Sequence, residues 1–135
     1  MRNDNDVTDY FLFFATNSPK GIQKMKEAMW KVDQSGEFRF SDASDPSQVQ
    51  MFTPTPDFVR LRRAIVERFR GTETTVAEVE DFVLAETAYR ETHYKREVLA
   101  ALERSDPPQL KVINSPPGRR RGTFADPRLR LHFSP

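Results

Sequence analysis

The sequence predicts an α+β protein whose main ordered unit, from about Asp57 to Phe133, consists of three short helices followed by a basic-tipped β-hairpin. Three observations carry this. Apolar residues recur at helical spacing in three consecutive segments between Phe58 and Leu102. From Arg128 to Phe133 the pattern changes to strict alternation, with Leu129, Leu131 and Phe133 on one face. The stretch before that alternation holds Pro116, Pro117, Gly118 and Gly122, residues suited to a loop between strands, and carries Arg119, Arg120 and Arg121.

The first forty residues read as strand, helix, strand. Tyr10–Ala15 is a continuous apolar run, as expected of a strand covered on both faces. Asn17 or Ser18 can cap the next helix, and Pro19 fits its first position, where a missing N–H costs nothing. Ile22, Met25, Met29 and Val32 form its apolar stripe, Lys20, Lys24, Lys26 and Lys31 occupy the other faces, and Trp30 is a candidate anchor. Gly36 permits a turn before the short alternating strand Glu37–Phe40. Residues 41–56 read as a linker, with short polar residues and three prolines; Met51 and Phe52 could dock on a neighbour.

After Pro56, Asp57 is a candidate N-cap for a helix with Phe58, Leu61, Ile65 and Phe69 on one stripe and Gly71 at its end. Thr75-x-x-Glu78 has the spacing of a capping box and opens a second helix, with Val76, Val79, Phe82 and Val83 inward. Thr87–Arg90 interrupts it. A third helix runs from about Tyr89 to Arg104 with Tyr94, Val98, Leu99 and Leu102 inward, and Asp106-Pro107-Pro108 stops it. Leu110–Ile113 is a strand, residues 114–126 a loop, and Arg128–Phe133 the returning strand.

Three helices and then a hairpin is the order of a winged helix. A lone hairpin is marginal in water, and the helices expose stripes that need a cover, so the two parts are jointly sufficient for one fold. In a helix-turn-helix the second helix of the motif enters the major groove. Here that is the third helix of the unit, whose outward side carries Arg90, His93, Glu97, Ala100 and Arg104, with Arg96 flanking. Arg90, His93, Arg96 and Arg104, together with Arg119, Arg120 and Arg121 at the wing, are therefore the candidate nucleic-acid-binding residues, suited to phosphates and guanine edges. Glu97 among them opposes that reading, and a basic helix face is often only a solvated surface.

The formal charge of +1 hides an asymmetry: residues 88–135 hold ten Lys/Arg against five Asp/Glu, a net of +5, which leaves −4 for the remainder. Without cysteine there are no disulfides or thiolate metal sites. His93 and His132 are the only histidines, so no metal site is expected. No apolar run reaches the roughly 18–20 residues of a membrane span, and the polar start MRNDNDVTDY lacks signal-peptide features, which reads as a cytoplasmic chain with no membrane contact. No nucleophile pattern or glycine-rich phosphate loop is present; Asn17-Ser-Pro19, after a strand, is the nearest thing to a ligand loop.

The stretch FFATNSPKGIQKMKEAMWKVD (Phe13–Asp33), the following GEFRFSD, the loop RRRGTF and the closing strand closely resemble the C-terminal half of the three-Cys-motif partner (TcmP) proteins. The resemblance covers most of the chain. It implies an AdoMet-dependent methyltransferase-type Rossmann domain followed by a GMT-like winged helix-turn-helix. On that basis residues 1–40 correspond to a β-α-β remnant of the Rossmann-type sheet, 41–56 to the linker and 57–135 to the winged helix. The family's cofactor-holding N-terminal portion has no counterpart in these residues, so neither a cofactor nor a catalytic residue is expected. The leading expectation is a non-catalytic module binding nucleic acid, double-stranded DNA first. The alternative is a protein-interaction module that meets a partner or its own copy through residues 1–40. An enzyme completed in trans beside Asn17–Pro19 is the third reading.

Overall fold

The computed structural model describes residues 13–34 and 56–134 of the chain. They belong to two compact units, Met1–Asp57 and Phe58–Pro135.

In the first unit, helix α1 spans Pro19–Val32, with Ser18 in extended geometry at the N-cap and Pro19 opening the first turn. Lys24 and Lys31 meet Glu27 at 2.8 and 3.5 Å. Trp30 is buried, Ile22, Met25 and Met29 are half-buried, and Val32 is exposed. The expected buried strand is not seen in its described part. Phe13–Ala15 forms no strand, and Phe13 and Phe14 are 91% and 51% exposed. A strand apolar on both faces needs sheet neighbours to cover it, and no Rossmann sheet is evident among the described residues. Tyr10–Leu12, Glu37–Phe40, and Met51 and Phe52 lie outside the described residues.

The second unit runs α2 (Phe58–Phe69), β1 (Glu73–Thr75), α3 (Val76–Glu86), α4 (residues 91–104), β2 (Leu110–Val112) and β3 (Arg130–Phe133). The strands form one antiparallel sheet in the order β1-β3-β2. Its register pairs Thr74 with Leu131 on one side of β3 and Leu110 with Phe133 on the other. The sequence led us to expect a two-stranded hairpin. The third strand, β1, is only Glu-Thr-Thr, too short and too polar to register as an alternating run. It exists because Gly71, at φ 66°, turns the chain out of α2, and the Gly71 N–H donates to the Phe133 carbonyl at 3.1 Å, bringing the next residues alongside β3.

The capping box that starts α3 is complete. Glu78 N–H donates to Thr75 Oγ1 at 3.2 Å, and Thr75 N–H donates to Glu78 Oε2 at 2.7 Å. Thr75 Oγ1 and Thr74 Oγ1 also donate to the same carboxylate oxygen, each at 2.9 Å, so the hydrogen bonds of Thr75 and Thr74 hold the Glu78 carboxyl below its usual pKa range. Thr75→Ala is expected to destabilise the unit by about 1 kcal/mol, read as a lower urea midpoint with an unchanged denaturant slope.

Helix α4 is continuous but irregular: Glu91–Tyr94 is α-helical, Lys95–Leu99 forms a π turn and Ala100–Arg104 is α-helical again. A π turn inserts one residue and so rotates everything after it. This is why Ala100, expected to face outward, is buried, and why Glu103 is turned inward. Tyr94 anchors the helix before the π turn. Its ring is fully buried, its hydroxyl donates to Glu80 Oε2 on α3 at 2.8 Å, and Lys95 Nζ approaches the same carboxylate at 3.1 Å. Burial first, and then the Glu80 hydrogen bond, push the phenol's pKa well above its ordinary value.

The core lies where the sequence places it. Leu61, Ile65 and Phe69 of α2, Val76, Val79 and Val83 of α3, and Tyr94, Val98, Leu99 and Leu102 of α4 meet Leu110, Leu129, Leu131 and Phe133 from the sheet side. Phe124, from the loop between β2 and β3, joins them. Each fully buried large side chain contributes about 1.5–3 kcal/mol relative to exposure.

Candidate nucleic-acid interface

The candidate residues lie along α4 and in the loop between β2 and β3. What joins these two places is Glu103, a residue the sequence reading did not single out. Its carboxylate accepts a bidentate pair from Arg119, Nη1 to Oε1 at 2.7 Å and Nη2 to Oε2 at 2.8 Å, and a further bond from Gly122 N–H at 2.6 Å. The two side chains are only 8% and 7% exposed. Arg119 also donates from Nε to the Thr123 carbonyl at 3.0 Å, and its guanidinium lies 4.9 Å from the Phe124 ring centroid. Around this pair, Arg121 Nη2 donates to the Glu103 carbonyl and Arg104 Nη2 to the Arg121 carbonyl at 3.1 Å. Gly122 closes the arrangement: its φ is 84°, and a Cβ there would collide with the Arg104 guanidinium. Burial alone would raise the Glu103 pKa, but the Arg119 and Gly122 hydrogen bonds and the charges of Arg119 and Arg121 outweigh it and hold the carboxyl below its usual range.

The three loop arginines therefore have different situations. Arg119 is enclosed and neutralised by Glu103. Arg120 is exposed and makes no ion pair among the described residues. Arg121 is exposed but tethered, as is Arg104; both donate to neutral backbone carbonyls, which leaves their positive charge uncompensated. On the helix, the Arg96 side chain is 92% exposed, and the Glu97 carboxylate is 3.8 Å away. Arg90 is half-buried, with its Nε shielded from solvent and without a hydrogen-bond partner.

No protein-family model, curated protein or solved structure matches this chain. The chemistry of these residues is consequently read from their geometry.

His93 sits among aromatic rings, edge-on to Phe58 at 5.4 Å and to Tyr89 at 6.3 Å. The Arg90 N–H points at its Nδ1 over a long 3.4 Å, which assigns the proton of the neutral ring to Nε2. Burial first, and the neighbouring Arg90 charge second, lower its pKa. The neutral imidazole is thus favoured at His93, which makes it a poorer phosphate contact than the arginines around it. A His whose folded pKa is depressed contributes stability that is present above the unfolded value of about 6.5 and is lost as pH falls through the folded one. An NMR titration is expected to place the His93 midpoint below that of an unstructured peptide, with stability declining on acidification. A midpoint at or above 6.5 would contradict this packing.

Among the described residues no cluster of three or more His, Asp or Glu is arranged to hold a metal ion, and no helix is long and apolar enough to cross a membrane. The sequence could have pointed to Glu103 only through charge: it is an acid in the last helical turn before an arginine-rich loop. Its inward direction depends on the π turn, which periodicity does not reveal.

Proposed function

We propose that residues 57–135 form a winged helix that binds nucleic acid, double-stranded DNA first, with α4 as the recognition helix and the β2–β3 loop as the wing. The element order of the unit and its β1-β3-β2 sheet support the winged-helix reading. The single observation that carries the binding reading is the Glu103 clamp. It neutralises Arg119 internally and joins the end of α4 to the wing, so that Arg104 and Arg121 are held together there, with Arg120 next in the loop and Arg96 two turns earlier on the same helix. Phosphate contacts provide most sequence-independent affinity, and exposed arginines such as Arg104, Arg120 and Arg121, which have no carboxylate partner of their own among the described residues, suit them; Arg96 is exposed beside Glu97. Arg119 and His93 act as supports for this surface and Arg90 flanks it. The module has no catalytic role in this reading and needs no cofactor. The likeness of Phe13–Asp33 to the TcmP proteins makes it the targeting part of a methyltransferase-like architecture.

Binding of the chain to a random 25-base-pair duplex across a salt series tests this. Wild type is expected to weaken steeply with salt, and Arg96→Ala and Arg120→Ala are each expected to reduce the slope of log K against log salt by about one. Arg119→Ala is unsuitable for this purpose because it is expected to destabilise the loop that Arg119 holds through Glu103 and the Thr123 carbonyl. No duplex binding at low salt would overturn the proposal. One observation favours the second reading, a protein partner or second copy met through residues 1–40: the aromatic side chains of Phe13 and Phe14 are exposed.

A further inference from the structure

An open cavity of about 370 Å³ lies between β2 and the wing, lined by Glu103, Lys111, Ser115, Arg119 and Arg121 and bordered by Leu110 and Val112. It is outside the residues proposed above to read the duplex, apart from its edge at Arg121. Its charge is unbalanced. Glu103 is the single carboxylate in the lining, and both of its oxygens are already engaged by Arg119 and Gly122. One cation and one anion thus cancel, which leaves Lys111 and Arg121. Arg121 donates to a neutral carbonyl and keeps its charge, while Lys111 makes no ion pair among the described residues. The Ser115 hydroxyl is a neutral donor at the same lining.

We propose that this cavity is a phosphate site, formed by Lys111, Ser115 and Arg121 and built on the Glu103–Arg119 pair, and that its occupant is a backbone phosphate of the bound nucleic acid. This rests on the nucleic-acid reading and adds to it a contact from β2, a strand the recognition helix and wing tip leave uninvolved. A phosphodiester carries one negative charge and two non-bridging oxygens, enough to accept from the Lys111 ammonium, the Arg121 guanidinium and the Ser115 hydroxyl together.

The test uses the full chain, with Lys111→Ala and Ser115→Ala as variants; both positions are exposed, so the fold is expected to tolerate them. Lys111→Ala is expected to weaken duplex binding severalfold and to lower the salt slope by about one, with Lys111→Arg restoring both. Ser115→Ala is expected to weaken binding about twofold without changing the slope. Titration of wild type with inorganic phosphate, followed by amide NMR, is the second arm, with shifts expected at Lys111, Ser115 and Gly122. If Arg120→Ala weakens duplex binding while Lys111→Ala leaves affinity and slope intact, the cavity proposal is overturned and the nucleic-acid reading stands. If no duplex binds but inorganic phosphate shifts those amides in wild type and not in Lys111→Ala, the site is a free-phosphate site, and both the nucleic-acid reading and the backbone occupant are overturned.

Discussion

Glu103→Ala is expected to lower the unfolding free energy of the second unit by about 3–5 kcal/mol, the usual cost of leaving one member of a buried ion pair without its partner. The loss follows from the geometry. Removing the carboxylate strands the Arg119 guanidinium, whose side chain is 7% exposed, and takes the acceptor from Gly122 N–H. Arg119→Ala should cost a similar amount for the mirror reason. Replacing both partners by Met should recover part of the loss, because it leaves no buried charge. Urea unfolding of the four proteins is the measurement. Single variants within about 0.5 kcal/mol of wild type would mean that the pair is solvated in solution and the β2–β3 loop is not clamped. Glu103 also predicts the acid response. Because its folded pKa lies below the ordinary value, its contribution is complete above about pH 4.5 and is lost as pH falls through the folded value. Glu103→Gln should flatten that part of the stability–pH curve.

Phe133→Ala should be comparably severe, about 3–5 kcal/mol for a large core aromatic. Phe133 lies on the central strand, 1% exposed, with its ring stacked on Phe69 of α2 at 5.8 Å. Its carbonyl also receives the Gly71 N–H that turns the chain into β1. The form of the loss matters as much as its size. Helices and sheet each lack enough cover alone, so the variant should lose helical circular dichroism and sheet contacts in one transition at a lower temperature. A variant that keeps its helices while only the β2–β3 pair frays would show that the sheet is an appendage, and the argument from mutual cover would fail.

Much of the second unit was legible in the sequence. The stripes Leu61–Ile65–Phe69 and Val76–Val79–Val83, the Thr75–Glu78 box, Gly71 and the alternation of Leu129, Leu131 and Phe133 all appear as read. Each rests on residues within a turn or a strand length of one another, where spacing alone dictates which side chains share a face. The candidate interface was less legible. Arg119, Arg120 and Arg121 look alike in sequence, yet one is enclosed, one is free and one is tethered. In the first unit the apolar run at Phe13–Ala15 promised a buried strand, but the exposed Phe13 and Phe14 show that apolar composition does not itself supply a cover.

The sequence by itself determined the helices and the two longer strands of the second unit, their apolar faces and the concentration of positive charge toward the end of the chain. Tertiary structure alone decided the third strand, the inward turn of Glu103 and the separate fates of the arginines. Helical and strand periodicity are local and repeat through the sequence. Charge pairing between a helix end and a loop sixteen residues away depends on how far one π turn rotates that end, and no local pattern encodes that rotation.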